Sequence, residues 1–281
     1  MRPFGLGFGK AWSLSGKVAL VTGASAGIGE ALSLELAKRG MRLALAARGK
    51  DRLEEVAARC RAHGVDAIAI PTDVADMAQC QRFVDQSLAH FGRIDLLVNN
   101  AGLGMWARVA EIPRGDALSI FETLMRINYL GPVWTTHAAL PALTQSRGLV
   151  VAISSLTGKV GVPTRSGYAA SKHAMQGFFD SLRIELDGTG VDVSVISPGF
   201  VDTAIRARGF RADGQPHGES PRDESKDNMS VQDCVDRIVK AIERREREVV
   251  MTMKGKVGQW VRLVAPGLID RVAKNAVRER G

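Results

Sequence analysis

The sequence predicts an α/β fold, a single doubly wound parallel sheet with helices on both faces. Three observations predict it. Short apolar runs alternate with longer amphipathic ones along most of the 281 residues. Hydrophobic residues make up 45% of the chain, enough for a large core. No internal repeat or Pro/Ser-rich linker divides the pattern, so one unit is expected.

The strand candidates are Val18–Thr22, Leu43–Ala47, Ala67–Ile70, Ile94–Val98, Leu149–Ile153 and Val191–Ile196. Between the first four lie segments of helical spacing, carried by Leu32 and Leu36, by Leu53, Val56 and Cys60, and by Phe83, Val84 and Phe91. Repeated strand–helix alternation calls for a parallel sheet covered on both faces. The fixed hand of the crossovers then makes the sheet doubly wound.

Two stretches break the rhythm. Residues 200–228 are polar, rich in Gly, Pro and mixed charge, and follow the sixth strand. A long insertion at a strand's carboxyl end reads as a lid or binding loop, with a disordered surface loop as the alternative. Residues 254–281 form a basic tail in which Val257, Trp260, Val261, Val264, Leu268 and Val272 recur at helical intervals. Pro266 is expected to break it into two helices. The expected organisation is one main α/β unit over 1–253, including loop 200–228, and an amphipathic tail over 254–281.

Charge and composition narrow the classes. Formal net charge is +8, and from Val249 to Gly281 seven Lys/Arg stand against two acids. The excess is weighted to the tail and no recognition motif accompanies it, so nucleic acid is not an expected partner. A basic amphipathic tail fits either peripheral contact with an anionic membrane or a cover over the substrate entrance or a partner subunit. Three separated cysteines and five scattered histidines give neither a disulfide framework nor a metal site, and they fit a reducing compartment. Gly and Lys10 interrupt Phe4, Leu6 and Phe8, so no signal peptide is read, and no apolar run is long enough to span a bilayer. The expected location is cytoplasmic, with membrane association through the tail as an option.

The first strand runs into Thr22-Gly23-Ala24-Ser25-Ala26-Gly27-Ile28-Gly29. Gly23 permits a sharp exit from the strand. Gly27 lets backbone approach a pyrophosphate, and Gly29 lets the new helix lie close to the sheet. Ser25 and Ile28 complete the turn, and the helix N-terminus offers its N–H groups to phosphate. A Rossmann-type dinucleotide site follows from the position of this turn between first strand and first helix. The second strand ends Ala46-Ala47-Arg48. An acid there would accept from a ribose 2′-OH, whereas Arg48 suits a 2′-phosphate, so NADP(H) is expected over NAD(H). Asp73, beside Val74, either accepts from an adenine amino group or caps the helix starting near Asp76.

Asn99-Asn100-Ala101-Gly102 follows the fourth strand and can bridge neighbouring strands through an Asn amide. Asn128 lies in a helical stretch. Ser155 follows the fifth strand, and Tyr168 and Lys172 share a helix face at i and i+4. Together, the glycine turn, the Asn turn, Asn128, Ser155, Tyr168, Lys172 and Pro198-Gly199 occur in an order that resembles the short-chain dehydrogenase/reductase family, over roughly Gly16 to Met251.

The resemblance implies an oxidoreductase that moves a hydride between a nicotinamide cofactor and a carbonyl or alcohol. It implies a catalytic tetrad of Asn128, Ser155, Tyr168 and Lys172, with Tyr168 as general acid/base and Lys172 lowering its pKa. Lys172 would also hold the ribose, Ser155 would bind the substrate oxygen, and Asn128 would hold a water. Pro198 and Gly199 would turn the chain towards the nicotinamide. Thr203 would contact its carboxamide or, alternatively, cap a lid helix. A homodimer or homotetramer is implied, and the segments around 118–143 and 167–186 suit its interface. Leu103, Met105, Trp106, Leu156, Val162, Phe200 and Ile205 are expected to line an apolar substrate pocket, while Arg206, Arg208 and Arg211 leave an anionic substrate open. A non-catalytic NADP-binding sensor or scaffold is the alternative the fold allows, and the complete tetrad counts against it.

Overall fold

The computed structural model describes residues 11–203, 208–218 and 228–278. Its sheet has seven parallel strands in the order β3-β2-β1-β4-β5-β6-β7. They are β1 (Val18–Thr22), β2 (Arg42–Ala47), β3 (Ala67–Pro71), β4 (Leu96–Asn99), β5 (Leu149–Ile153), β6 (Asp192–Ser197) and β7 (Glu248–Val250). The six expected strands are present, with the fourth and sixth shifted along the chain by one or two residues. The seventh was not foreseen. Only Val250 of its three residues is buried, too short a signal for an apolar run.

Pleating explains why both faces are covered. All five residues of β1 are buried. Ala19 and Val21 point into one core, and Val18 and Leu20 into the other. Helices α1 (Gly27–Lys38), α2 (Lys50–Arg61) and α7 (Val231–Arg244) fill the first core through Leu32, Leu36, Leu53, Val56, Val235 and Ile238. Helices α3 (Met77–Phe91), α5 (Gly131–Ser146) and α6 (Ser166–Glu185) fill the second through Phe83, Val84, Leu143, Met175 and Phe179. A short helix, α4 (Ser119–Met125), supports a third, smaller cluster around Met105, Ile120, Leu124 and Tyr168.

Strand order reverses between β1 and β4, so the chain segments leaving these two strands diverge and open a crevice at the carboxyl edge. The tail forms α8 (Met253–Val264) and α9 (Pro266–Arg278), and the break falls at Pro266 as expected. Among the described residues, no helix is long and apolar enough to cross a membrane.

Candidate active site

A cavity of about 470 Å³ occupies the crevice. One end is the turn between β1 and α1. Gly23 and Gly27 have left-handed φ of +67° and +59°, which a side chain would strain. Gly29 is needed for a different reason, because a Cβ there would fall 2.3 Å from the Gly23 carbonyl oxygen. The Asn100 amide ties this turn to β4, donating to the carbonyls of Thr22 (2.9 Å) and Gly23 (3.3 Å). The bridging expected of the Asn turn is therefore present. Replacing Gly29 with Ala is expected to cost about 1–3 kcal/mol by overpacking and to weaken dinucleotide binding. Thermal unfolding and a fluorescence binding titration check both effects.

The turn fits a dinucleotide phosphate on geometric grounds. Ala26 at the α1 N-cap makes no side-chain cap, so the first helical N–H groups have no partner from it. Ser25, Gly27 and Ile28 line the cavity beside them. Further along, the Ser154 hydroxyl is buried in the cavity wall without a hydrogen-bond partner, as suits a polar group awaiting a ligand.

Arg48, exposed at the tip of β2, lines the cavity together with Arg52 from α2. Sequence reasoning missed Arg52; its signal was the basic run Arg48, Lys50, Arg52. Its guanidinium lies 3.7 Å from Glu30. Asp73 and Val74 form the adjoining wall. Asp73 does not cap α3, which Asp76 does by accepting from the Gln79 N–H at 3.1 Å. Asp73 instead accepts from the Ala75 N–H at 3.0 Å.

The opposite end holds Ser155, Tyr168 and Lys172, with Asn128 buried behind them. Tyr168 sits in the first turn of α6 and Lys172 one turn on, so both face the cavity. The Lys172 Nζ is 5.9 Å from the Tyr168 ring centre and donates to the Ile153 carbonyl at 2.9 Å. Both side chains are buried. Burial pushes the Tyr168 phenol above its ordinary value, while the Ser155 hydroxyl and the Arg165 charge pull it back. Burial also lowers Lys172 from 10.5 to about 8. In the chain alone, then, desolvation is the largest influence on the phenol.

Asn128 lies in a π-helical turn, Arg126–Leu130, between α4 and α5. Such a turn is a local irregularity frequent at functional sites. Its Oδ1 accepts from the Leu103 N–H (2.8 Å), and its Nδ2 donates to the Leu103 carbonyl (2.9 Å) and to Ser171 Oγ (2.9 Å). Both amide hydrogens are used, which leaves one acceptor position on Oδ1. The side chain clamps the loop after β4 to α6. Gly102 is wedged at this point; a Cβ on it would stand 3.3 Å from Asn128 Oδ1 and 3.7 Å from Lys172 Nζ.

Pro198, Gly199 and Thr203 line the same cavity, and the Thr203 methyl faces Gly27. Any lid helix that Thr203 would cap falls at 204–207, outside the described residues, as do Ile205 and Arg206.

The expected apolar wall is only partly realised. Leu103, Leu156 and Phe200 line the cavity. Met105 does not, because it is fully buried in the small cluster under α4. Val162 is half-buried and lies outside the lining. Trp106 turns away to stack on Arg165, whose guanidinium carbon is 3.4 Å from its ring centre and 5.5 Å from that of Phe200. Arg165, three residues before Tyr168, thus brings a cation to the wall of the pocket, and no sequence spacing announced it. Arg208 also reaches the cavity, whereas Arg211 is paired with Asp213.

The described residues include no group of His, Cys, Asp and Glu able to hold a metal ion. Cys60, Cys80 and Cys234 are free, buried thiols, pushed up by burial to about 11, 12 and 12.

Comparison with known proteins adds an independent line. Residues 17–213 match the family model described as short chain dehydrogenase. A "Dehydrogenase/reductase SDR family protein 7-like" chain of Anopheles gambiae is 38% identical over 274 residues, covering 93% of this chain and 83% of its own length. An 11-beta-hydroxysteroid dehydrogenase 1A of Arabidopsis thaliana is 39% identical over 267 residues, covering 92% and 74%. Among solved structures, a short chain dehydrogenase/reductase from Burkholderia phymatum in complex with NAD superposes with TM-score 0.79, at 26% identity and over 92% and 96% of the two chains. An alcohol dehydrogenase from Thermococcus sibiricus, complexed with 5-hydroxy-NADP, gives TM-score 0.70 at 29% identity over 83% and 94%.

Proposed function

The chain belongs to the short-chain dehydrogenase/reductase family and is an NAD(P)-dependent oxidoreductase; from that premise we propose that it interconverts a carbonyl and an alcohol of a largely apolar small molecule, using NADP(H), with Tyr168 as general acid/base. The observation that carries this reading is convergence. Tyr168, Lys172 and Ser155 meet at one end of a cavity whose other end is the glycine turn.

Each residue then has a role. In reduction the Tyr168 hydroxyl gives its proton to the nascent alkoxide, and in oxidation the phenolate removes it. Ser155 donates a hydrogen bond to the substrate oxygen and shares its developing charge. Lys172 supplies positive charge beneath the phenol and hydroxyl-binding N–H groups for the nicotinamide ribose. Asn128 acts as a positioning residue that fixes the loop after β4 against α6, and its remaining acceptor position suits a water shared with Lys172. When bound, the nicotinamide ring gives or takes the hydride, and its oxidised form carries a positive charge. Pro198, Gly199 and Thr203 shape the wall beside that ring, while Asp73 and Val74 flank the adenine end. Leu103, Leu156 and Phe200 favour an apolar substrate body.

Arg48 and Arg52 support NADP(H), because two guanidinium groups at the β2 tip suit a 2′-phosphate. Arg48→Asp is expected to lower kcat/KM with NADPH by roughly 10- to 100-fold, equivalent to a charged hydrogen bond of about 1.5–3 kcal/mol, and to spare NADH. Steady-state kinetics with both cofactors over a panel of carbonyls and alcohols tests the whole proposal. Turnover preferring NADPH supports it. A preference for NADH contradicts the cofactor assignment, and dinucleotide binding without any turnover favours a sensor or scaffold. A homo-oligomer is expected through the α4–α5 and α6 faces.

A further inference from the structure

The tail helices leave an unusual surface. On α8, Met253, Val257, Trp260 and Val264 recur at four- and three-residue steps and are 70%, 55%, 68% and 84% exposed. Leu263 adds to this stripe at 72%, and Leu268 and Val272 of α9 are also exposed. None of the residues of α8 is buried. Large apolar side chains held in water on consecutive turns call for an occupant.

Charge identifies the kind of occupant. Lys254, Lys256, Arg262, Arg271 and Lys274 are exposed on the same two helices, against a single acid, Asp270, within the described tail. At the root of α8, Lys256 joins Arg237, Lys240 and Arg244 of α7 around a shallow depression that contains one carboxylate, Glu246. Apolar side chains interleaved with cations suit an interface of acyl chains and anionic headgroups. A second copy of this surface would bring like charges together. The helices are too short to span a bilayer, so they would lie on it.

Position gives the surface a consequence. α8 is rooted at the substrate end of the cavity. A Cβ on Gly255 would fall 2.3 Å from Leu156 Cδ2, and one on Gly199 would fall 2.6 Å from the Thr252 methyl, so the first turn of α8 and its N-cap Thr252 rest against two cavity-lining residues. Arg262 further ties α8 to the Lys159 carbonyl, just beyond Leu156. The apolar stripe and the Leu156 wall therefore belong to one edge of the molecule.

We propose that α8 and α9 dock on an anionic lipid surface with the substrate end of the cavity beside it, so that an apolar carbonyl or alcohol enters from the lipid phase. The entrance part of this inference rests on the carbonyl chemistry proposed above, and the docking part does not.

The test pairs the wild-type chain with Trp260→Glu/Leu263→Glu, two exposed positions remote from the proposed chemistry. Co-sedimentation uses vesicles of phosphatidylcholine with and without phosphatidylglycerol. Turnover with NADPH is measured on a long-chain aldehyde partitioned into the same vesicles and on a short water-soluble carbonyl. The wild type is expected to bind only the anionic vesicles, less so at high salt. The double variant is expected to bind at least about ten-fold more weakly and to lose about ten-fold in turnover of the vesicle-borne aldehyde, keeping the water-soluble reaction within about two-fold. Failure of the wild type to bind anionic vesicles overturns docking. A smaller oligomer for the variant without vesicle binding by the wild type assigns the face to a second copy and overturns docking too. Equal turnover of the vesicle-borne aldehyde by both proteins overturns the entrance. Vesicle binding without turnover of any carbonyl overturns the carbonyl chemistry and the entrance, and leaves docking standing.

Discussion

Tyr168→Phe is expected to lower kcat by about 10²- to 10⁴-fold, the range for losing a positioned general acid/base, while dinucleotide affinity changes by no more than about two-fold. The ring is buried against Met105, Ile120 and Leu124, and phenylalanine keeps that packing. Only the hydroxyl is lost, and with it the proton that reduction needs. Stopped-flow reduction under single-turnover conditions separates the chemical step from binding and release. Normal turnover by this variant would contradict the mechanism outright.

Lys172→Met is expected to produce two opposite effects. Activity should fall at least as far as in Tyr168→Phe, because the lysine beneath the phenol is removed. Stability at neutral pH should rise. The folded-state value of Lys172 is depressed by burial from 10.5 to about 8, so between these values the unfolded chain binds the extra proton and the folded chain does not. The contribution of Lys172 to native stability therefore increases as pH climbs from 8 to 10.5, and below pH 8 the wild type carries the full burden of a buried charge. That burden is about 3 kcal/mol at 1.36 kcal/mol per unit. The Ile153 carbonyl loses its 2.9 Å partner in the variant, which returns about 1 kcal/mol of the gain. Thermal unfolding should therefore show the variant a few degrees more stable at pH 7, with the difference fading towards pH 10.5. A variant less stable than the wild type at pH 7 would contradict this reading of the lysine's burial.

The sequence was most legible where chemistry is written locally. The glycine turn, the Asn100 bridge and the Tyr168–Lys172 pair each depend on a few neighbouring residues and a fixed helical or turn geometry. The strands were legible because burial on both faces leaves continuous apolar runs such as Val18–Thr22. β7 was not, since a three-residue edge strand carries too little pattern. Features made by distant segments were also hidden. Trp106 faces Arg165 instead of the cavity because the loops bearing it, Phe200 and the start of α6 meet only in the fold. In sequence Asp73 reads as a possible cap, whereas the helix's first turn puts Asp76 in that place. The π-helical turn at Asn128 looks in sequence like ordinary helix. The opposing pulls of burial and charge on Tyr168 depend on packing depth, which no motif encodes.

That balance bears directly on the proposed mechanism, and the chain's composition makes it measurable. There are only two tyrosines. Tyr129 is half-buried and stands edge-on to Phe178, so Phe should replace it readily. An ultraviolet difference titration of Tyr129→Phe then reports the Tyr168 phenol alone, without and with saturating NADP⁺. The chain alone should titrate above the ordinary value near 10, because burial dominates. Bound NADP⁺, adding positive charge to that of Lys172, should bring the phenol down by at least about two units, towards the neutral range in which it can accept a proton. A phenol whose titration NADP⁺ leaves unmoved would contradict the assignment of Tyr168 as the group that exchanges the substrate's proton.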